Sequence, residues 1–136
     1  MISIAFYRTR EGALTAADSF TALGSLYGQS TTASIQIPKQ ASQIVGIIAT
    51  VATDSATNGA TTFAMQLSGD GLSQGQETIT VGSQGVDGTP ASNGMTNLPF
   101  ELDVAIPVVG SNQVSVAMAM DTDVGSASCS CTLVFA

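Results

Sequence analysis

The chain has no histidine and no tryptophan, two cysteines, and three basic residues among 136. Each shortage closes off a class of function. Without histidine, general acid–base and triad catalysis lose their commonest base, and with only Cys129 and Cys131 as soft ligands a zinc site has too few donors. Arg8, Arg10 and Lys39 are the whole positive charge, against ten acids, for a net charge of −7. Nucleic-acid binding needs clustered Lys and Arg to neutralise phosphates, and anionic membrane surfaces need them too, so neither is an expected partner. No apolar run approaches the roughly 20 residues that span a bilayer as a helix; the longest, Ile44 to Val51, is far shorter. The apolar Ile2 to Tyr7 is also short, and Arg8 and Arg10 follow it where a secretory leader would have its basic residues first. The expectation is a product used without classical secretion.

Charged residues make up 10% of the chain, against roughly 25% in ordinary soluble domains. Gly, Ser, Thr, Ala, Asn and Gln take their place. The surface is therefore either neutral and polar or covered by partners, and the second is favoured because a lone monomer relies on charge for solubility.

What is present is alternation. In Phe100 to Val108 the even positions are apolar, while Glu101 and Asp103 fall at odd ones. In Gln113 to Met120, Val114, Val116, Met118 and Met120 alternate with Gln113, Ser115, Ala117 and Ala119; in Ala127 to Phe135, Cys129, Cys131, Leu133 and Phe135 alternate with Ser128, Ser130 and Thr132. A two-residue period buries one face and wets the other, as in an antiparallel sheet on a core.

The rest of the chain reads similarly. Ile2, Ile4 and Phe6 give a short first strand that ends at Arg8-Thr9-Arg10. Glu11 to Ser30 reads as loop with local strand, from its Ser, Thr and Gly content. Ala33, Ile35 and Ile37 alternate up to Pro38, which stops a strand. Gln43 to Thr53 is apolar on both faces, as for a central strand covered on both sides, and Thr61 to Leu67 and Glu77 to Val81 follow. Gly82 to Thr96 reads as a long exposed loop, Gly110-Ser111 as a tight hairpin turn, and Asp121 to Ser126 as the last connection.

About eight strands without a helix define an all-β chain, an eight-stranded antiparallel β-sandwich. A single jelly roll is the expected form. An immunoglobulin-like sandwich is the alternative, but both cysteines share one strand and there is no tryptophan. One domain is expected over 1–136, with an N-terminal strand and irregular arm over 1–30 and the main sandwich over 31–136.

Candidate chemistry is sparse. Glu101 and Asp103, an i, i+2 pair about 7 Å apart, have a spacing that a glycosidase could use, yet the chain lacks the aromatic residues such clefts carry; a solvated strand face is the reading adopted. Asp121 and Asp123 could offer oxygen ligands to calcium, with Asp54, Asp70 or Asp87 from other loops, or simply form an acidic turn. Cys129 and Cys131 are read as small core residues. No catalytic residue and no cofactor is expected. Arg8 and Arg10 either pair locally with Glu11 and Asp18 or contact an acidic partner.

The succession of Ile35-Gln36-Ile37-Pro38, Ser42-Gln43-Ile44-Val45-Gly46-Ile47, a Gly-rich middle, Phe100 to Pro107 and a terminal Thr132-Leu133-Val134-Phe135 resembles small jelly-roll virion proteins of bacterial and archaeal viruses. The resemblance covers most of the chain after Thr31. It implies a structural protein of the virion, capsid-forming or capsid-decorating, that works as a homotrimer or other homo-oligomer with other capsid proteins as partners. The alternatives are a lectin-like or carbohydrate-binding sandwich using the loop from Gly82 to Thr96, and a subunit of an extracellular filament. Ser128, Ser130 and Thr132, with Ala117 and Ala119, are expected to form one small-residue surface for a neighbouring subunit.

Overall fold

A computed structural model of the chain describes residues 4–14, 19–26, 29–54, 59–86, 97–120 and 126–136. These hold eleven strands: β1 (Phe6–Leu14), β2 (Thr21–Ala22), β3 (Ser25–Leu26), β4 (Gln29–Ser30), β5 (Ser34–Gln36), β6 (Gln43–Asp54), β7 (Gly59–Ser68), β8 (Gln76–Val86), β9 (Asn97–Pro107), β10 (Gln113–Met120) and β11 (Ser126–Phe135). Among the described residues there is no helix, and hence none long and apolar enough to cross a membrane.

Two antiparallel sheets result. The first runs β4-β3-β1-β11-β6-β9, and the second β2-β10-β7-β8 with β5 also on β10. β2 and β5 pair with successive parts of β10: Ala22 lies opposite Ala117, and Ser34 opposite Ser115. They are two pieces of one interrupted strand. Counted so, the sandwich has eight strands, wound first-eighth-third-sixth in one sheet and second-seventh-fourth-fifth in the other. That is the order of a jelly roll.

The alternation expected of the C-terminal strands is observed. Val114, Val116, Met118 and Met120 of β10 are buried, as are Cys129, Cys131, Leu133 and Phe135 of β11. They meet Phe63, Met65 and Leu67 of β7 and Ile44, Ile47, Ala49 and Val51 of β6 in one apolar layer. Fully burying a side chain of this size contributes about 1.5–3 kcal/mol.

Sequence neighbours are not sheet neighbours here. β9 pairs with β6, whereas β10 pairs with β7, so Gly110-Ser111 is not a hairpin turn but a crossing between sheets. Ser111 takes a φ of 73° there, and its N–H donates to the Ile37 carbonyl at 3.0 Å. Both inner faces meet the same core, so alternation alone could not assign a strand to a sheet.

Three other expectations change. The first strand begins near where alternation of Ile2, Ile4 and Phe6 placed its end. β1 runs through the arginines to Leu14, paired with β11 at nine positions from Phe6↔Phe135 to Leu14↔Ala127. β6 is central, between β11 and β9, but among the described residues no second layer covers its outer side, where Val45, Ile48 and Thr50 are half-buried. A bulge between Ile44 and Gly46 shifts the inward parity from Ile44 to Ile47, Ala49 and Val51, which is why the segment looked apolar throughout. β8 extends to Val86, into the stretch read as loop; residues 87–96 lie outside the described residues.

Leu133→Ala should lower unfolding free energy by about 2–5 kcal/mol in chemical denaturation, because Leu133 is fully buried. Ser128→Ala, on the exposed side of the same strand, should change it by about 0.5 kcal/mol or less.

Candidate functional site

The two arginines lie on β1 opposite Leu133 and Cys131, on the inward face of the sheet. A charge can face inward here because β1 stands beside the opening between the sheets. Arg10 spans that opening. Its Nε donates to the Thr32 carbonyl at 2.9 Å, one Nη to the Ser34 carbonyl at 3.1 Å and the other to the Thr9 carbonyl at 2.9 Å. It thereby ties the first sheet to β5 of the second. Arg8 remains exposed, its guanidinium 5.9 Å from the Phe6 ring centroid and donating to the Tyr7 carbonyl at 3.0 Å.

The break in the second strand is built around this contact. After Ala22, Leu23 stays on β10 through its N–H to the Val116 carbonyl, 3.0 Å. The chain then leaves as the β3–β4 hairpin and lies against β1, with Ser25 opposite Glu11 and the Ser25 hydroxyl donating to the Glu11 carbonyl at 3.0 Å. Thr31 N–H returns to the Gly24 carbonyl at 2.7 Å, and the strand resumes at Ser34. Gly12 makes this possible: a Cβ there would come within 2.8 Å of the Leu23 side chain.

The outer face of the first sheet carries a feature that periodicity did not reveal. Tyr7, Val134, Gly46 and Asp103 form one row across β1, β11, β6 and β9, and Thr9, Thr132, Ile48 and Glu101 form the next. The hydroxyls of Thr9 and Thr132 are 2.8 Å apart. Tyr7 is 60% exposed, Val134 is nearly buried, and Gly46 has no side chain. The row is thus high at its two ends and low in the middle. The result is an open depression of about 240 Å³ with Tyr7 on one side, Glu101 and Asp103 on the other and the β6 backbone as floor. Glu101 and Asp103 are exposed, as a solvated strand face requires. Tyr7 was not legible as its partner because β1 was expected to end there.

The expected small-residue surface is divided between two faces of the molecule. Ser128, Ser130 and Thr132 lie outward on the first sheet, while Ala117 and Ala119 take outward positions on the second, where Ala119 is buried and does not contribute surface. The second sheet's outer rows are Ser34, Ser115, Ser68, Gln76 and Ala22, Ala117, Gln66, Thr78. Neither row carries a charge.

Cys129 and Cys131 are free thiols facing the core, with Cys131 Sγ 3.7 Å from Met65 Sδ. Burial pushes both thiols up to about 12, and in Cys131 the neighbouring Cys129 adds to the rise. Asp121 and Asp123 lie outside the described residues. Among the described residues no three His, Cys, Asp or Glu side chains converge as a metal site would require. Asp70 instead accepts the Gln113 N–H at 3.1 Å, steadying the turn before β8.

No protein-family model and no curated protein matches the sequence. Solved structures do match in fold. A structure of the infectious bursal disease virus Gx strain aligns over 98% of this chain, at 13% identity and a TM-score of 0.54. The VP2 subviral particle of infectious bursal disease virus aligns over 97%, at 15% identity and a TM-score of 0.52. Latent PorU from Porphyromonas gingivalis aligns over 96%, at 10% identity and 0.52. The chain spans 32% of each virus chain and 12% of PorU. These likenesses establish the sandwich fold.

Arg10→Ala leaves the Thr32 and Ser34 carbonyls without their guanidinium donor, so it should cost about 1.5–3 kcal/mol of stability. Hydrogen exchange should quicken at Leu23 and Thr31 before it does at Leu133. The thiols give a pH signature. They ionise near 9.0 when unfolded and near 12 when folded. The stability from keeping them protonated is therefore complete below pH 9 and lost as pH rises from there towards 12. Melting between pH 7 and 11 should show a fall that is shallower in the Cys129→Ala/Cys131→Ala variant.

Proposed function

We propose that this protein is a structural subunit of a virus particle, capsid-forming or shell-decorating, that acts through contacts with copies of itself and with other shell proteins and performs no catalysis. The observation that carries the reading is the jelly-roll order of the strands, together with a fold likeness along nearly the whole chain to the infectious bursal disease virus structures. The second sheet's outer face supports it. Its rows of Ala, Ser, Thr and Gln lack charge, so a neighbour can cover them without the cost of desolvating ions. A subunit covered in this way also needs little surface charge of its own, which fits a chain that is 10% charged.

The protein should sediment as a homo-oligomer, and native mass spectrometry should give an integral number of copies. Ala117→Glu, which puts a charge in the middle of the uncharged face, should shift it to a monomer with the melting temperature little changed. A parent protein that stays monomeric at high concentration and forms no particles by electron microscopy would remove the reading.

A further inference from the structure

We propose that Arg8 closes the outer edge of β1 against the addition of a strand from a second copy of this chain. The order of the first sheet puts β11 on one side of β1 and β3 on the other, and the two sides are unlike. Towards β11, β1 is paired along its whole length, from Phe6↔Phe135 to Leu14↔Ala127. Away from β11, β3 meets β1 at Glu11 alone, so among the described residues no strand lies along Phe6 to Arg10 on that side. Unpaired backbone of this kind is where a further strand adds.

The carbonyls on that side are nevertheless occupied. The Glu11 carbonyl accepts the Ser25 hydroxyl at 3.0 Å, and Ser25 stands on the side away from β11. On a strand, residues two apart turn their N–H and C=O groups the same way, so those of Thr9 and Tyr7 also face outward. The Thr9 carbonyl accepts from Arg10 at 2.9 Å, and the Tyr7 carbonyl from Arg8 at 3.0 Å. Three successive outward carbonyls are thus taken by the chain's own side chains, where an added strand would supply N–H groups. Arg10 has a further task, holding the Thr32 and Ser34 carbonyls. Arg8 is exposed, and its guanidinium lies 5.9 Å from the Phe6 ring centroid, a contact that keeps it folded back along the edge. A strand can add here only by displacing that group. A solubilising role for Arg8 would have the opposite sign. The net charge is already −7, so losing a cation makes copies repel one another more if charge alone matters. The inference is independent of the virion reading, which concerns the outer face of the second sheet and not the edge of the first.

The test is sedimentation velocity of the purified full chain over a range of concentrations, with hydrogen exchange read at β1; in such a sample the only strand available to add is that of another copy. Arg8→Ala should melt close to the parent, as an exposed site allows. It should nevertheless grow into species larger than any the parent forms, and the Tyr7 and Thr9 amides should become protected as it does. Lys39→Ala makes the same change in net charge at an exposed residue between β5 and β6, and should sediment as the parent does. Tyr7→Pro added to Arg8→Ala removes an outward N–H from the edge and should restore the parent's behaviour. The proposal is overturned if Arg8→Ala sediments as the parent, or if Lys39→Ala grows equally, which would make net charge the cause. Growth that leaves Tyr7 and Thr9 exchanging freely, or that survives Tyr7→Pro, places the contact on another surface and overturns it too. A large fall in the melting temperature of Arg8→Ala would do the same, because Arg8 would then be a tie within the fold and not a guard on its edge.

Discussion

A single apolar layer has to satisfy every long strand of this protein. With no helix among the described residues to cover a sheet, the inner faces of the two sheets have only each other. Each strand must therefore alternate, and each must keep its register, since a slip of one residue would turn its whole apolar set outward. The bulge in β6 shows how strictly this holds. Against β11, Val45 is one extra residue between Ile44 and Gly46, so the parity of the strand changes and the buried positions change with it. Phe63, Met65 and Leu67 keep the same layer filled from the other sheet.

The sides of such a sandwich are its exposed points, because edge strands offer unpaired backbone to any passing chain. On the β1 side the protein covers this edge with its own chain. The β3–β4 hairpin leaves the edge of one sheet and lies on the edge of the other, and Arg10 fastens the crossing through two backbone carbonyls, those of Thr32 and Ser34. An inward-facing arginine on an edge strand is tolerated because it ends at acceptors that need a donor. The same arrangement accounts for one of only three cations in the sequence as a structural element.

The two outer faces are unlike each other. The first sheet carries Tyr7, Glu11, Glu101 and Asp103, with the depression between Tyr7 and the β9 carboxylates. The second is a run of Ala, Ser, Thr and Gln. A charged, indented face suits a selective contact with a complementary group, and a plain flat face suits close packing that excludes water.

Much of this was legible from residues alone. The in-and-out pattern of Val114 to Met120 and Cys129 to Phe135 specified their buried faces, and Pro38 marked the end of β5, because local periodicity follows from the pleat. Other features depended on the winding. Alternation cannot say which sheet a strand joins, so Gly110-Ser111 read as a hairpin when it is a crossing, and Ser128 to Thr132 were grouped with Ala117 and Ala119 when a whole sandwich separates them. β1 was misplaced because its inward positions include two arginines, one exposed and the other, Arg10, held by the Thr32 and Ser34 carbonyls some 20 residues away. The meeting of Tyr7 with Glu101 and Asp103 has the same origin. Residues nearly a hundred positions apart share a row only because β11 and β6 lie between their strands, a relation that exists in the hydrogen-bonded sheet and nowhere in the linear chain.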